Sequence, residues 1–230
     1  MKGFYNIAGV NTYIEAPCER LELNAEKFKS QSCEKETEVV ITNELLLELS
    51  NGKQEHLDEL CYMATGSVFH RRILKFGGIM LHSSAIVYNG GGIAFCAKSG
   101  TGKSTHTQLW LKKFKDNCAI LNDDKPVIKK ENGSYYIYGT PWSGKTDLNL
   151  NLKVPLKAIV LLERGEVDEI EKCDKNTALK KILASTVQPK NVELLNLSLN
   201  IIDDIIENVE IFKLKCTKNM SAVEEVLKVL

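Results

Sequence analysis

Phe95-Cys-Ala-Lys-Ser-Gly-Thr-Gly-Lys-Ser-Thr105 decides how this chain is read. An apolar run enters a glycine-bearing turn that ends on Lys-Ser, which predicts a strand, a phosphate-binding loop and a helix in succession. Gly100 and Gly102 tolerate left-handed backbone angles, so the N–H groups of Ser99, Gly100, Thr101, Gly102 and Lys103 would wrap a polyphosphate. Lys103 would reach the β- and γ-phosphates, and the Ser104 hydroxyl would take a Mg²⁺ ion. Thr105 occupies the position that flanks the α- and β-phosphates in many such loops. A helix starting near Lys103 would turn its positive end toward the anion.

Two stretches compete for this role. The strict pattern G-x-x-x-x-G-K-[ST] is missed here by one residue, Ala97, whereas Gly139-Thr-Pro-Trp-Ser-Gly-Lys-Thr146 matches it letter for letter. The flanks decide between them. Ahead of the first loop, residues 92–97 form a short apolar run after turn residues 89–92, as a buried strand does. Behind it, residues 104–114 carry Leu109, Trp110, Leu111 and Phe114 among polar residues with no Pro or Gly, an amphipathic helix. The second match follows a strand at 135–138 but holds Pro141 and Trp142 inside its loop. Residues 147–154 behind it alternate polar and apolar, which is strand periodicity. With no helix behind it, the second loop is not a phosphate loop of the usual kind.

Residues 118–122 are an apolar strand that ends in Asp123 and Asp124. One helix separates them from Lys103, so both strands are expected close together in one sheet, with their ligand-binding ends side by side. One carboxylate would hold Mg²⁺ and the other would take a proton from an attacking hydroxyl. The order of the two duties stays open. Upstream, residues 80–88 read as another strand, with His82 near its start and a glycine-rich hairpin at 89–92. A lone histidine there is open between a structural and a catalytic role.

The order of His82, hairpin, Ser99-Gly-Thr-Gly-Lys-Ser-Thr105 and Asn122-Asp-Asp124 resembles the C-terminal catalytic domain of HPr kinase/phosphorylase. It is also similar to the nucleotide core of ATP-dependent phosphoenolpyruvate carboxykinase. The nearest likeness is to small HPr-kinase-related bacterial proteins sharing segments like LHSSAIV, SGTGKSTHTQLW, LNDDKP and YGTPWSGK, over residues 78–165. The resemblance implies an α/β P-loop core with a mixed β-sheet, an ATP site, Mg²⁺ and a functional His82. It also implies a small N-terminal α+β cap. The glycine-rich C-terminal signature of HPr kinases is missing, so neither HPr as substrate nor phosphorylase activity is carried over. The chain is too short for a carboxykinase. HPr-kinase-like enzymes beside ribosomal peptide maturation systems phosphorylate a peptide serine, so a peptide or protein hydroxyl is the expected acceptor. A small-molecule hydroxyl is the alternative. Lys145 then becomes a candidate for neutralising the transferred group, and Trp142 a candidate wall for acceptor or nucleotide. His106 and Thr107, on the first turn of the helix, are weaker candidates for a nucleotide contact.

The 230 residues balance 30 Lys and Arg against 30 Asp and Glu, and no basic stretch points to nucleic acid or a membrane surface. The N-terminus lacks the apolar run of a signal peptide, and no apolar segment is long enough to span a bilayer. Seven cysteines without a C-x-x-C pair predict reduced thiols, a cytoplasmic setting and no zinc site. Residues 1–75 are expected to form the cap and 76–230 the nucleotide-binding domain. Within the first part, 4–16 reads as a hairpin, 38–42 as a strand and 43–49 as a helix, with no identifiable chemistry. Further on come a buried strand at 155–164 and a short strand at 168–172. Helices follow at 176–186 and 192–209, then a strand at 210–215. A last helix opens with the capping-box pattern of Ser221. Arg164, at the end of its strand, reads as a surface ion pair or a nucleotide contact. The function expected is an ATP-dependent kinase. A nucleotide-binding regulator and a binding module with a lost site remain alternatives, and a homo-oligomer stays open.

Overall fold

The computed structural model describes residues 1–98 and 100–230, and Ser99 lies outside the described residues. The chain begins with strands β1 (Lys2–Ile7) and β2 (Val10–Glu15), paired antiparallel. Helix α1 (Glu19–Ala25) follows, and β3 (Thr37–Val40) then lies parallel to β2. Helix α2 (Asn43–Leu49) is capped by the Thr42 hydroxyl, which accepts from the Leu45 amide. The 17-residue α3 (Leu57–Ile73) buries Cys61, Tyr62, Thr65, Phe69 and Ile73, a helically spaced stripe. No helix was expected there, because Cys61, Thr65 and the buried His70 do not read as apolar.

The main sheet is mixed, as expected for an α/β chain. Its strands are β4 (Gly78–Met80), β5 (Ser83–Tyr88), β6 (Gly91–Cys96), β7 (Cys118–Asn122), β8 (Val127–Glu131), β9 (Ser134–Tyr138), β10 (Lys153–Arg164), β11 (Glu169–Lys172) and β12 (Glu210–Cys216). They lie in the order β4-β8-β9-β10-β6-β5-β7, with β12 beside β10 and β11 beside β12. Strand β10 joins the parts: it begins antiparallel to β9, then runs parallel to β6 on one side and to β12 on the other.

Alternation along β10 sets the layers. Ile159 and Leu161 pack with Ile182 of α5 (Lys175–Ala184) and with Ile202 and Ile205 of α6 (Val192–Asn208). Val160 and Leu162 face the opposite way, toward Trp110 of α4 (Lys103–Phe114) and Val223 and Val226 of α7 (Ser221–Leu227). A third cluster joins the N-terminal elements to Met80, Val127, Tyr138 and Trp142. No helix among the described residues is long and apolar enough to cross a membrane, and all seven cysteines are unbridged.

Several local expectations change. β6 and β7 share the sheet but are separated by β5. His82 sits between β4 and β5 rather than inside a strand. Residues 147–152 are not a strand; only Asn149 bridges to Asn122, and regular pairing starts at Lys153. The alternation there places Leu148, Leu150 and Leu152 outward, where all three are exposed. The last helix has Met220, not Ser221, at its N-cap. The Ser221 hydroxyl instead donates to Asp168 at 2.5 Å, so no capping box forms.

Candidate functional site

The β5–β6 hairpin builds one wall of the site. Ser83 pairs with Cys96, which brings His82 to the end of β6, where the glycine loop leaves the sheet. In that loop Gly100 has φ 75° and Gly102 φ 119°, both in the region that favours glycine. Gly102 is the N-cap of the 12-residue α4, so backbone N–H groups and the helix's positive end converge there. A cleft of about 500 Å³ opens at this point. It gathers Gly100, Gly102, Lys103, Ser104 and Thr105 on one side, with Asp123, Asp124, His82 and Lys145 around it. Thr101 faces a neighbouring cavity on the far side of the loop.

The two aspartates, adjacent in sequence, do different things. Asn122 fixes their turn: its Oδ1 accepts from the Asp124 and Lys125 amides at 2.9 and 2.7 Å, and its Nδ2 donates to the Thr140 carbonyl. Asp123 accepts from three hydroxyls, Ser84 at 2.5 Å, Ser104 at 3.2 Å and Thr146 at 3.0 Å. Asp124 instead faces His82 Nε2 at 3.2 Å and Lys125 Nζ at 3.9 Å. Burial and the cations Lys125 and Lys103 push His82 down to about 4, against the opposing pull of Asp124. The ring is therefore neutral at pH 7, and its contact with Asp124 is a hydrogen bond rather than an ion pair.

Lys103 Nζ donates to the Ala97 carbonyl at 3.1 Å and lies 3.3 Å from the same His82 Nε2. That nitrogen serves one partner at a time: protonated it donates to Asp124, and bare it accepts from Lys103. Burial lowers the Lys103 pKa, while Cys96, Asp124 and Asp123 act to raise it. An arriving phosphate would add to the pull of those anionic groups.

Lys145 is exposed at the cleft, after Gly144. Its loop ends in a single 3₁₀ turn, Gly144–Thr146, with no α-helix behind it. Trp142 does not wall the phosphate cleft. It is buried against Phe69, ring centroids 4.8 Å apart, with its indole N–H on Thr65. His106 and Thr107 are also buried. His106 lies against Phe95 and accepts from the Trp110 indole at 3.1 Å, and Thr107 meets Ser84, so neither faces a ligand.

Two contributors escaped the sequence reading. Arg20, from α1, stacks over Tyr62 at 4.5 Å, pairs with Asp147 at 2.9 Å and reaches the Gly144 carbonyl. Tyr62 holds the same loop, donating to the Pro141 carbonyl at 3.1 Å and accepting from the Ser143 amide at 2.7 Å. The contacts of Arg20 and Tyr62 with this loop span 79 to 127 residues, so no local signal announces them. Arg164, read as a surface ion pair or nucleotide contact, donates to the Gly100 carbonyl at 2.6 Å and braces the glycine loop.

These residues fit a metal–polyphosphate. A Cβ built at Gly100 meets nothing within 4 Å, so the loop backbone is open to close approach. Asp123 and Ser104 offer hard oxygen ligands 3.2 Å from each other. Among the described residues no cluster of three or more His, Cys, Asp or Glu is built to hold a metal. Mg²⁺ needs none, since one or two protein oxygens, phosphate and water suffice.

A model of the family described as "ScmC: SynChlorMet cassette protein ScmC" matches residues 45–224. No curated protein matches the chain. Among solved structures, the Hpr(Ser) kinase/phosphatase from Coxiella burnetii is similar over 65% of this chain and 95% of that chain. Identity is 12% and the TM-score 0.38, a distant likeness that carries no argument about activity.

Proposed function

This chain belongs to the SynChlorMet cassette protein ScmC family, and from that premise we propose that it is a kinase. In this reading Mg²⁺–ATP binds on the glycine loop, and the γ-phosphoryl group passes to a hydroxyl of a peptide, a protein or a small molecule. Residues 76–230 are the nucleotide core, and residues 1–75 are a cap that lends Arg20 and Tyr62 to the cleft. The supporting observation is the division between the aspartates: hydroxyls surround Asp123, while Asp124 is held by a neutral histidine beside Lys103.

Asp123 and Ser104 would hold the metal, which when bound neutralises phosphate charge as it builds during transfer. Asp124 would accept the proton of the incoming hydroxyl. His82, uncharged, would donate to Asp124 and orient it without cancelling its charge. Lys103 would leave the Ala97 carbonyl for the transferred phosphoryl group, and Lys145, free to move at the surface, would meet the same group from the opposite side. Arg164 would hold Gly100 in place through the reaction.

The test is calorimetric titration of a non-hydrolysable ATP analogue with Mg²⁺ into the wild type and Lys103→Ala. Mg²⁺-dependent binding that weakens at least tenfold in the variant is the expected result. Equal binding by both proteins, or none by the wild type, refutes the reading.

A further inference from the structure

A second cavity, of about 320 Å³, lies on the other side of His82 and Asp124 from the glycine loop. Both residues line it and the phosphate cleft alike, so the two spaces meet at the proposed base. Its apolar wall is formed by Tyr62, Met63, Met80, Trp142 and Val187. Gly66 lets α3 pack closely on the Trp142 side of this wall: a Cβ there would lie 3.0 Å from the Trp142 ring. Met63, at 57% exposure, and Val187, at 43%, stand at the mouth, so a chain can enter from solvent.

The polar groups of this cavity limit what it accepts. His70 is 2% exposed, its Nε2 has no hydrogen-bond partner among the described residues, and burial pushes it down to about 4. Its ring is therefore neutral. Lys125 and Asp124 face each other at 3.9 Å as opposite charges, and Asp124 also meets the neutral His82 at 3.2 Å. Ser67, Ser185 and Thr186 carry no charge. Among the described residues lining this cavity, no unmatched cation is available to hold a carboxylate or phosphate, and no unmatched carboxylate to hold an amine. An occupant that is apolar and neutral loses least on entry. Some 150 Å³ suffices to take up benzene, so this space holds a large aromatic or branched aliphatic side chain.

We propose that this cavity is the acceptor subsite, and that its occupant is a large apolar side chain next to the phosphorylated serine of a peptide. The inference rests on the kinase reading above and deepens it. A neighbouring residue seated here places the serine hydroxyl beside Asp124, within one residue's reach of the cavity. Selectivity then comes from burial of that side chain rather than from charge, and the subsite rejects acidic and basic neighbours, whose charges would be left unpaired.

Blocked pentapeptides Gly-X-Ser-Z-Gly, with X or Z set to Gly, Leu, Phe, Asp or Lys, are incubated with Mg²⁺–ATP, and transfer is read as a mass increase. Val187→Trp, at the exposed mouth, and Ser67→Phe, on the α3 wall, each fill the space. Neither residue lines the phosphate cleft, and binding of the ATP analogue is measured alongside for every protein. The wild type is expected to favour Phe or Leu over Gly at least tenfold. Both variants should flatten that preference to within about threefold while binding the analogue as the wild type does. A preference for Asp or Lys, no preference, or one that survives both substitutions overturns the proposal. Analogue binding without transfer to any peptide overturns the peptide acceptor and leaves nucleotide binding standing. Failure of the wild type to bind the analogue instead removes the kinase reading itself, and the subsite with it.

Discussion

Acidification should unfold this protein through its buried histidines before its carboxylates titrate. His70 and His106 are each 2% exposed and are pushed down to about 4 by burial. In the unfolded chain each returns to about 6.5. Below pH 6.5 the unfolded state therefore binds more protons than the folded one, and stability falls with pH until the folded rings protonate near pH 4. By linkage each ring costs about 2 kcal/mol between pH 8 and pH 5, so the pair costs about 4 kcal/mol. Against a total stability of about 5–15 kcal/mol that is a large share. His82 shifts in the same direction but is 36% exposed at its side chain, so solvent screening reduces its part. His106 isolates the effect. Its Nε2 accepts from Trp110 and its Nδ1 is buried with no partner among the described residues, so protonation adds an unmatched charge beneath Phe95. Urea unfolding followed by tryptophan fluorescence at pH 8 and pH 5 measures the loss, both tryptophans being buried. Carboxylates contribute alike to the wild type and His106→Gln. The variant should therefore lose about 2 kcal/mol less than the wild type over this interval. Equal losses in the two proteins would show that the ring is not held neutral and would refute the reasoning.

Three further outcomes follow from the cleft. Asp124→Asn should leave Mg²⁺-dependent binding of the ATP analogue within about threefold and reduce transfer to the best peptide by about 10²–10⁴, the usual range for a lost general base. Asp123→Asn should weaken the Mg²⁺-dependent part of binding itself, and calorimetry with and without Mg²⁺ separates the two variants. Gly144→Ala should cost about 1–2 kcal/mol in urea unfolding, because Gly144 has φ 65°. Its new Cβ would also lie 2.9 Å from the Asp124 Cβ, so transfer should fall further than stability alone explains.

Much of the fold was legible where the hydrophobic period is clean. The hairpin at 89–92, α4, α6 and β10 follow their patterns closely: α6 and β10 bury apolar stripes, and in α4 Trp110 is buried with Leu109, Leu111 and Phe114 packed beside it. Helix α3 was not legible, since its buried stripe includes Cys61 and Thr65 and its last turn buries His70. The strand expected at 147–154 failed for the converse reason: its leucines alternate correctly but face solvent. In the cleft, Lys103, Ser104, Asp123 and Asp124 were named from spacing and His82 from the family resemblance, and all five line the same cleft. What spacing left open was the order of duty in the aspartate pair. The contacts that distinguish the two come from other segments: Ser84 and Thr146 reach Asp123, while His82 faces Asp124.

The second glycine loop matches the phosphate-loop pattern letter for letter, yet its neighbours use that loop in another way. Its glycines serve contact rather than phosphate. A Cβ at Gly139 would lie 1.8 Å from the Leu150 carbonyl oxygen, and one at Gly144 would press on Asp124. Pro141 and Ser143 are tied to Tyr62, and Asp147 to Arg20 and Asn24, so the loop is fastened to the N-terminal helices on one side. On the other, Thr146 is fastened to Asp123 at 3.0 Å. A loop clamped in this way cannot fold its backbone around an anion. It can hold a hydroxyl against one carboxylate, close-pack against the other and leave Lys145 free at the rim. The first loop, with Ala97 in place of the leading glycine, loses little by the exchange, because that position contributes a carbonyl to Lys103 and not a left-handed turn. The second loop has all of the pattern's letters and the first all but one, but of the two only the first is followed by an α-helix to supply aligned N–H groups.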